Sequence, residues 1–194
     1  MTEASEKLGR GPLPRVSVVG SGSANHTELA RPLGYALARM GVHLVTGGGS
    51  GVMAQVARGF TAVDSREGLS IGILPGSKAG GSGPTEAPRG YPNPWVEVPI
   101  LTHLEGLGER GRDPDSRNHL VVLTGQVVVA LPGASGTLSE VELALEYSRP
   151  VIAHLAESRD FPGLPPGIPR ASSLDDVLLF IRDRLESALG SLGS

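Results

Sequence analysis

The chain contains, at residues 127–140, the sequence VVVALPGASGTLSE. Its first five residues are uncharged and mostly β-branched, which is typical of a strand buried on both faces of a parallel sheet. The glycine-rich turn at 132–137 ends this strand and leads into a segment with helical periodicity. A strand, a glycine-rich turn and a helix in this order form the repeating unit of a parallel α/β sheet.

The same unit recurs along the chain. The predicted strands are 16–19, 42–46, 69–74, 96–100, 127–131 and 151–155, and the predicted helices are 27–40, 52–64, 115–124, 138–147 and 174–189. We expect Thr27 to cap the first helix, Asp115 or Ser116 the third and Ser172–Ser173 the last. The pattern predicts an α/β fold, a Rossmann-like three-layer sandwich with a mostly parallel central sheet.

The length of 194 residues fits one domain, at 15–194, preceded by a flexible N-terminal tail at 1–14 without the apolar segment of a signal peptide. Residues 77–94 hold many Gly and Pro residues and predict a long loop, either a lid or a disordered segment. No apolar run is long enough to cross a membrane, so we expect a cytoplasmic protein.

The composition argues against several function classes. Net charge is −3 and the two signs are mixed along the chain, which disfavours binding to a nucleic-acid polymer. Cysteine is absent and the five histidines are scattered, so no metal site is expected. Lysine occurs only at Lys7 and Lys78, neither of them on a predicted strand or helix, so pyridoxal-phosphate chemistry and a bound cofactor are not expected.

Four glycine-rich turns follow predicted strands, at 20–22, 47–51, 75–76 and 132–137. Right-handed crossovers place the carboxyl ends of parallel strands at one edge of the sheet, where ligands of open α/β sheets bind. Glycine lets the backbone approach a phosphate, and the N–H groups of a following helix N-terminus bind an anion. Together the turns predict a pocket for a small phosphate-bearing ligand, although each one alone is equally typical of a tight strand-to-helix connection.

The best-known nucleotide and hydrolase motifs are incomplete. Gly20 and Gly22 supply only two of the three glycines of the dinucleotide motif, and no acidic residue follows the second strand. No Gly-Lys-Ser/Thr sequence marks a P-loop, and Ser135 is one residue out of register for a Gly-x-Ser-x-Gly nucleophile turn. NAD binding, P-loop chemistry and serine-hydrolase chemistry are therefore disfavoured.

Three segments together resemble the LOG family, which includes the LONELY GUY phosphoribohydrolases once described as lysine decarboxylases. They are GGGSGVM at 47–53, SRN at 116–118 and PGASGTLSE at 132–140. The similarity covers about residues 15–155 and points to a bacterial branch near the molybdenum-cofactor carrier proteins. The family motif is Pro-Gly-Gly-x-Gly-Thr-x-x-Glu, and the chain departs from it at Ala134, which places a methyl group in the phosphate cradle.

The resemblance implies a phosphoribohydrolase that cleaves the N-glycosidic bond of a nucleoside 5′-monophosphate, with Arg117 and Glu140 as catalytic residues. A carboxylate stabilises the cation-like sugar of such a reaction, and an arginine orients the ligand. The implied phosphate- and nucleotide-binding residues are Gly20, Ser21, Gly22, Gly47, Gly48, Gly49, Ser50, Gly51, Asn118, Pro132, Gly133, Ala134, Ser135, Gly136 and Thr137. The alternative is a carrier or sensor that binds a phosphate-bearing ligand such as molybdenum cofactor and performs no chemistry.

Each candidate residue also has a structural interpretation. Thr137 and Glu140 have the spacing of a helix capping box, and Arg117 has Asp113 and Asp115 nearby as ion-pair partners. Asn118 fits the first turn of a helix. The resemblance further implies a homo-oligomer that pairs through the helix after Glu140, whose apolar residues are equally typical of core.

Overall fold

The structure, a computed structural model, describes residues 12–78, 85–156 and 161–190 of the chain. The strands are β1 (Arg15–Val19), β2 (His43–Thr46), β3 (Ser70–Leu74), β4 (Ser77–Lys78), β5 (Thr85–Glu86), β6 (Val98–Leu101), β7 (Val127–Ala130), β8 (Val151–His154) and β9 (Arg170–Ala171). The helices are α1 (Thr27–Arg39), α2 (Val52–Thr61), α3 (Asn118–Thr124), α4 (Ser135–Glu146) and α5 (Leu174–Gly190), with a 3-10 helix at Gly108–Arg110.

Seven strands form one sheet in the order β6-β3-β2-β1-β7-β8-β9, and every neighbouring pair is parallel. The chain builds outward from β1 through β2, β3 and β6, and then returns to the other side of β1 with β7. Order therefore reverses between β1 and β7, which is where open α/β sheets form their ligand crevice. The short antiparallel pair of β4 and β5 stands apart from this sheet.

The two faces of the sheet are covered by different helices. Val127 and Val129 of β7 pack in the core formed with α1, α2 and α5, whereas Val128 and Ala130 pack in the core formed with α3 and α4. All four side chains are fully buried. The uncharged run at 127–131 thus lies at the centre of a three-layer α/β sandwich, as its composition predicts.

Helices α1 and α2 pack backbone to backbone. A Cβ atom built on Gly34 would lie 2.0 Å from the backbone oxygen of Val56, and one on Gly59 would lie 2.2 Å from the backbone oxygen of Arg31. Arg31 Nε also donates a hydrogen bond of 2.7 Å to Gln55 Oε1. These contacts fix the relative position of the two helices and of the glycine-rich turns that precede them.

The predicted caps of the first and third helices are wrong. Thr27 is not the N-cap of α1, because His26 takes that position with a left-handed backbone of φ 40° and ψ 48°. α3 begins only at Asn118, since residues 113–116 form a turn closed by the Ser116 N–H and the Asp113 oxygen, 2.8 Å apart. The predicted cap of the last helix is confirmed at Ser173, whose Oγ accepts the Asp176 N–H at 3.1 Å.

Other boundaries also shift. The predicted loop at 77–94 contains β4 and β5, and the short strand β9 before α5 was not predicted. α4 begins at Ser135, three residues early, because the preceding turn closes straight into the helix, with Leu138 N–H donating to the Ala134 oxygen at 3.0 Å. Most of the predicted tail, residues 1–11, lies outside the described residues. Within the described ranges, no helix is long and apolar enough to cross a membrane.

Candidate functional site

Three glycine-rich turns meet at the carboxyl edge of β1, β2 and β7, the strands at the centre of the sheet. Ser21 joins the three turns: its N–H donates to the Pro132 oxygen at 3.1 Å, and its own oxygen accepts the Val52 N–H at 2.9 Å. Ser50 Oγ donates to the Gly22 oxygen at 2.6 Å. The turns at 20–22, 47–51 and 132–137 therefore form one continuous surface.

The fourth predicted turn, Pro75–Gly76, lies at the same edge but joins a different segment. The Gly76 N–H donates to the Leu104 oxygen at 2.9 Å, so this turn holds the chain that follows β6. This contact stabilises the fold and does not join the turn to the surface formed by the other three turns.

The turn at 132–137 presents the N-terminus of the 12-residue helix α4. The N-cap is Ala134, with an extended backbone, so the amides of Ser135 and Gly136 lie in the first turn, where N–H groups lack intrahelical partners and carry the positive end of the helix dipole. A Cβ atom on Gly133 would lie 2.0 Å from Thr137 Oγ1, which shows how tightly this turn closes. The geometry suits an anion.

Arg117 is buried against the turn at 47–51, called the β2 turn because it follows β2. It is 4% exposed, and among the described residues its Nε and Nη1 have no hydrogen-bond partner. A Cβ atom on Gly47 would lie 2.0 Å from Nη1. The surface ion pair with Asp113 or Asp115 is wrong, because Arg110 binds both of those carboxylates. Buried guanidinium donors without a partner are costly, and a bound anion is one group that would satisfy them.

Glu140 is a second buried ionisable group at this site. It lies on α4 and is 8% exposed. Burial raises the pKa of Glu140 from 4.5 to about 7, and the positive charge of Arg117 opposes part of that rise. The capping-box interpretation is wrong, because Ala134 is the N-cap and Thr137 is already the third residue of the helix. The structure thus brings the two predicted catalytic residues together.

Asn118 is the first residue of α3 and is 5% exposed. A Cβ atom on Gly111 would lie 2.8 Å from Asn118 Nδ2 and equally close to Ser139 Cβ. The Asn118 amide therefore lies between the 3-10 segment and α4, beside Arg117. This position fits the helix-terminal interpretation and keeps the side chain next to the site.

The sequence model of the SLOG cluster4 family matches residues 13–162, more than half of the chain. The chain belongs to the SLOG cluster4 family. The SLOG superfamily includes the LOG proteins, so the resemblance seen in the glycine-rich motifs is confirmed. An uncharacterized protein of Archaeoglobus fulgidus is 26% identical over 141 residues, which cover 72% of this chain and 78% of that protein.

Solved structures share the SLOG fold. The molybdenum cofactor binding protein of Rippkaea orientalis is 30% identical, with a TM-score of 0.66 and coverage of 91% of this chain and 99% of that one. The molybdenum cofactor carrier protein of Chlamydomonas reinhardtii is 27% identical, with a TM-score of 0.67 and coverage of 90% and 99%. These matches confirm the Rossmann-like α/β prediction.

Sequence reasoning missed two residues of this SLOG site, Tyr91 and Asn93. The Asn93 N–H donates to the Gly48 oxygen at 2.8 Å, and its Nδ2 donates to the Gly49 oxygen at 2.9 Å. The Tyr91 ring lies over the Arg117 guanidinium, with 5.8 Å between the ring centroid and Cζ. Both residues fall in the loop predicted at 77–94, where no local pattern marks a contact with a distant turn.

The part of α4 that follows Glu140 packs mainly in the core. Val141, Leu143 and Ala144 are buried, and only Leu145, 48% exposed, is open to a partner, so the homo-oligomer stays a prediction. In the part of the chain that the structure describes, no three His, Asp or Glu side chains gather into a group that could hold a metal ion.

Proposed function

We propose that the protein binds a phosphate-bearing small molecule at the carboxyl edge of β1, β2 and β7, and that it acts as a carrier of a pterin-type cofactor such as molybdenum cofactor. The observation that carries this proposal is the Arg117 guanidinium, buried with two N–H donors that have no partner among the described residues. A buried cation costs several kcal/mol unless an anion compensates it. The phosphate of a ligand is such an anion.

Glu140 compensates the Arg117 charge only in part. With a pKa of about 7, the Glu140 carboxyl is roughly half protonated at neutral pH. The site therefore keeps net positive charge, to which the first turn of α4 adds the dipole and the free amides of Ser135 and Gly136. The Arg117 guanidinium and the first turn of α4 thus attract a phosphate to the same edge of the sheet.

The similar structures favour a carrier over a hydrolase. The proteins from Rippkaea orientalis and Chlamydomonas reinhardtii are described as binding or carrying molybdenum cofactor, and they align with at least nine-tenths of this chain. Transfer of that role to this chain rests on the similarity of fold and on the buried Arg117 at the carboxyl edge of β1, β2 and β7 in this chain. The ligand is cargo in this proposal and no bond is broken.

Phosphoribohydrolase activity is the second candidate, and the Glu140 carboxyl favours it. A pKa near 7 lets one carboxyl donate and accept protons at neutral pH, which is the property of a general acid–base catalyst. The same carboxylate, when ionised, stabilises the sugar cation of N-glycosidic cleavage. This candidate requires release of free base from a nucleoside 5′-monophosphate.

One preparation tests both candidates. Protein purified from a host that makes molybdenum cofactor is denatured, and the released material is assayed for pterin fluorescence and for molybdenum. We expect pterin to co-purify with wild type and to be lost in Arg117→Met. It should remain in Arg112→Met, because Arg112 is half exposed and paired with Glu142 and Glu146.

Parallel incubation with adenosine and guanosine 5′-monophosphates measures release of base. Release of base without binding of pterin would contradict the carrier proposal and support the hydrolase. Equal pterin in wild type and in the Arg117 variant would show that the ligand binds elsewhere.

A further inference from the structure

Asn93 holds the segment 91–93 against the β2 turn through hydrogen bonds. It is 5% exposed and makes hydrogen bonds with its backbone and with both ends of its amide. Its N–H donates to the Gly48 oxygen and its Nδ2 to the Gly49 oxygen, at 2.8 and 2.9 Å, while its Oδ1 accepts the Trp95 N–H at 3.1 Å. The position of the segment against the turn is therefore fixed.

This arrangement places Tyr91 against both the turn and the arginine. A Cβ atom on Gly49 would lie 2.8 Å from Tyr91 Cε1 and 2.9 Å from its hydroxyl oxygen. The ring centroid lies 5.8 Å from Arg117 Cζ. The guanidinium thus faces the aromatic ring and also touches the backbone of Gly47.

These contacts restrain Arg117 without using its hydrogen-bond donors. An aromatic ring holds a guanidinium through the electrostatics of its face, and the contact with Gly47 is steric. Arg117 Nε and Nη1 keep no partner among the described residues. A carboxylate would hold the arginine as firmly but would occupy the donors that a ligand needs.

We propose that Tyr91 is a positioning residue whose ring holds the Arg117 guanidinium in the orientation that receives the anion of the ligand. The ligand part of this inference rests on the proposed function, whereas the restraint of Arg117 by the ring does not. The two parts can therefore be measured separately.

The restraint is measured on the ligand-free protein. The Arg117 Nε–H signal is assigned by its loss in Arg117→Met, and it is then followed by ¹H–¹⁵N NMR in Tyr91 variants. Tyr91→Phe keeps the ring and should leave the shift and the solvent exchange of this signal unchanged. Tyr91→Leu removes the ring and should move the shift toward that of a free arginine and speed exchange roughly 3- to 30-fold. Tyr91→Met serves the same purpose if the leucine variant does not fold.

The ligand part is measured by calorimetric titration with inorganic phosphate and with adenosine 5′-monophosphate. Loss of the ring should weaken binding roughly 3- to 30-fold, the range expected for a cation–π contact, and Tyr91→Phe should change it by less than about twofold. The proposal is overturned if the Arg117 signal is the same with and without the ring, or if Tyr91→Phe behaves like Tyr91→Leu. If the signal responds as expected but wild type binds neither probe, the restraint of Arg117 by the ring stands, and the proposed function fails for these ligands.

Discussion

Replacement of Glu140 by glutamine should change how the stability of the protein depends on pH. Burial raises the pKa of Glu140 from 4.5 to about 7 in the folded protein, and unfolding restores the ordinary value. Between these two values the folded state keeps a proton that the unfolded state has lost, so the free energy of unfolding falls as pH rises. A shift of this size corresponds to about 3 kcal/mol, which is present at acidic pH and lost by about pH 8.

Glu140→Gln removes the ionisation and keeps a similar size. Its stability relative to wild type should increase by about 3 kcal/mol between about pH 4 and about pH 8, measured by urea unfolding at several pH values. Glu142→Gln is the matched control, because Glu142 lies on the same helix, 41% exposed, and pairs with Arg112. Its effect should stay below about 1 kcal/mol. If the free energies of unfolding of Glu140→Gln and wild type differ by the same amount at every pH, the raised pKa of Glu140 is wrong.

Three other substitutions test the site and the packing beneath it. Arg117→Met removes the charge that favours the Glu140 carboxylate, so the pKa of Glu140 should rise further above about 7 in a ¹³C NMR titration; a fall would contradict the pairing. Gly47→Ala places a methyl group 2.0 Å from Arg117 Nη1 and should weaken phosphate binding in calorimetry roughly ten- to a hundredfold. That loss should vanish in the Arg117→Met background, and additive losses would show that Gly47 acts independently. Gly34→Ala places a methyl group 2.0 Å from the Val56 oxygen and should reduce the free energy of unfolding by roughly 1–3 kcal/mol; an unchanged urea midpoint would rule out the close helix crossing.

The place of the site could be predicted from the sequence because it depends on local patterns. Uncharged runs at 16–19, 42–46 and 127–131 indicate parallel strands, and parallel strands end at one edge. The glycine-rich turns that follow these runs must then be neighbours, and the structure joins them through Ser21. The shared edge therefore follows from composition and strand order alone.

The partners of the buried arginine could not be predicted. Acidic residues close to Arg117 in the sequence suggest a surface ion pair, yet Arg110 takes them and Arg117 packs against Gly47 and Tyr91 instead. Those contacts join residues far apart in the chain, and such contacts leave no periodicity or spacing in a single sequence.

The capping-box spacing failed for a different physical reason. Thr137 and Glu140 have the right separation, but the chain enters α4 at Ser135, so Thr137 is already helical and has no cap position to fill. Glu140 is then turned into a buried site beside Arg117 rather than back to the helix start. The conformation of the turn before α4 sets where the helix begins, and the spacing of Thr137 and Glu140 in the sequence does not define that conformation.

The binding surface can be located by following ¹H–¹⁵N signals while inorganic phosphate is added. Saturable shifts should concentrate at Ser21, at residues 135–137 and at the Arg117 side chain. Tyr35 and Arg182 should not respond, because they line a groove beside Pro14 and Val42, which precede β1 and β2. Shifts confined to that groove, or weak shifts spread over exposed arginines without saturation, would contradict an anion site at the carboxyl edge of the sheet.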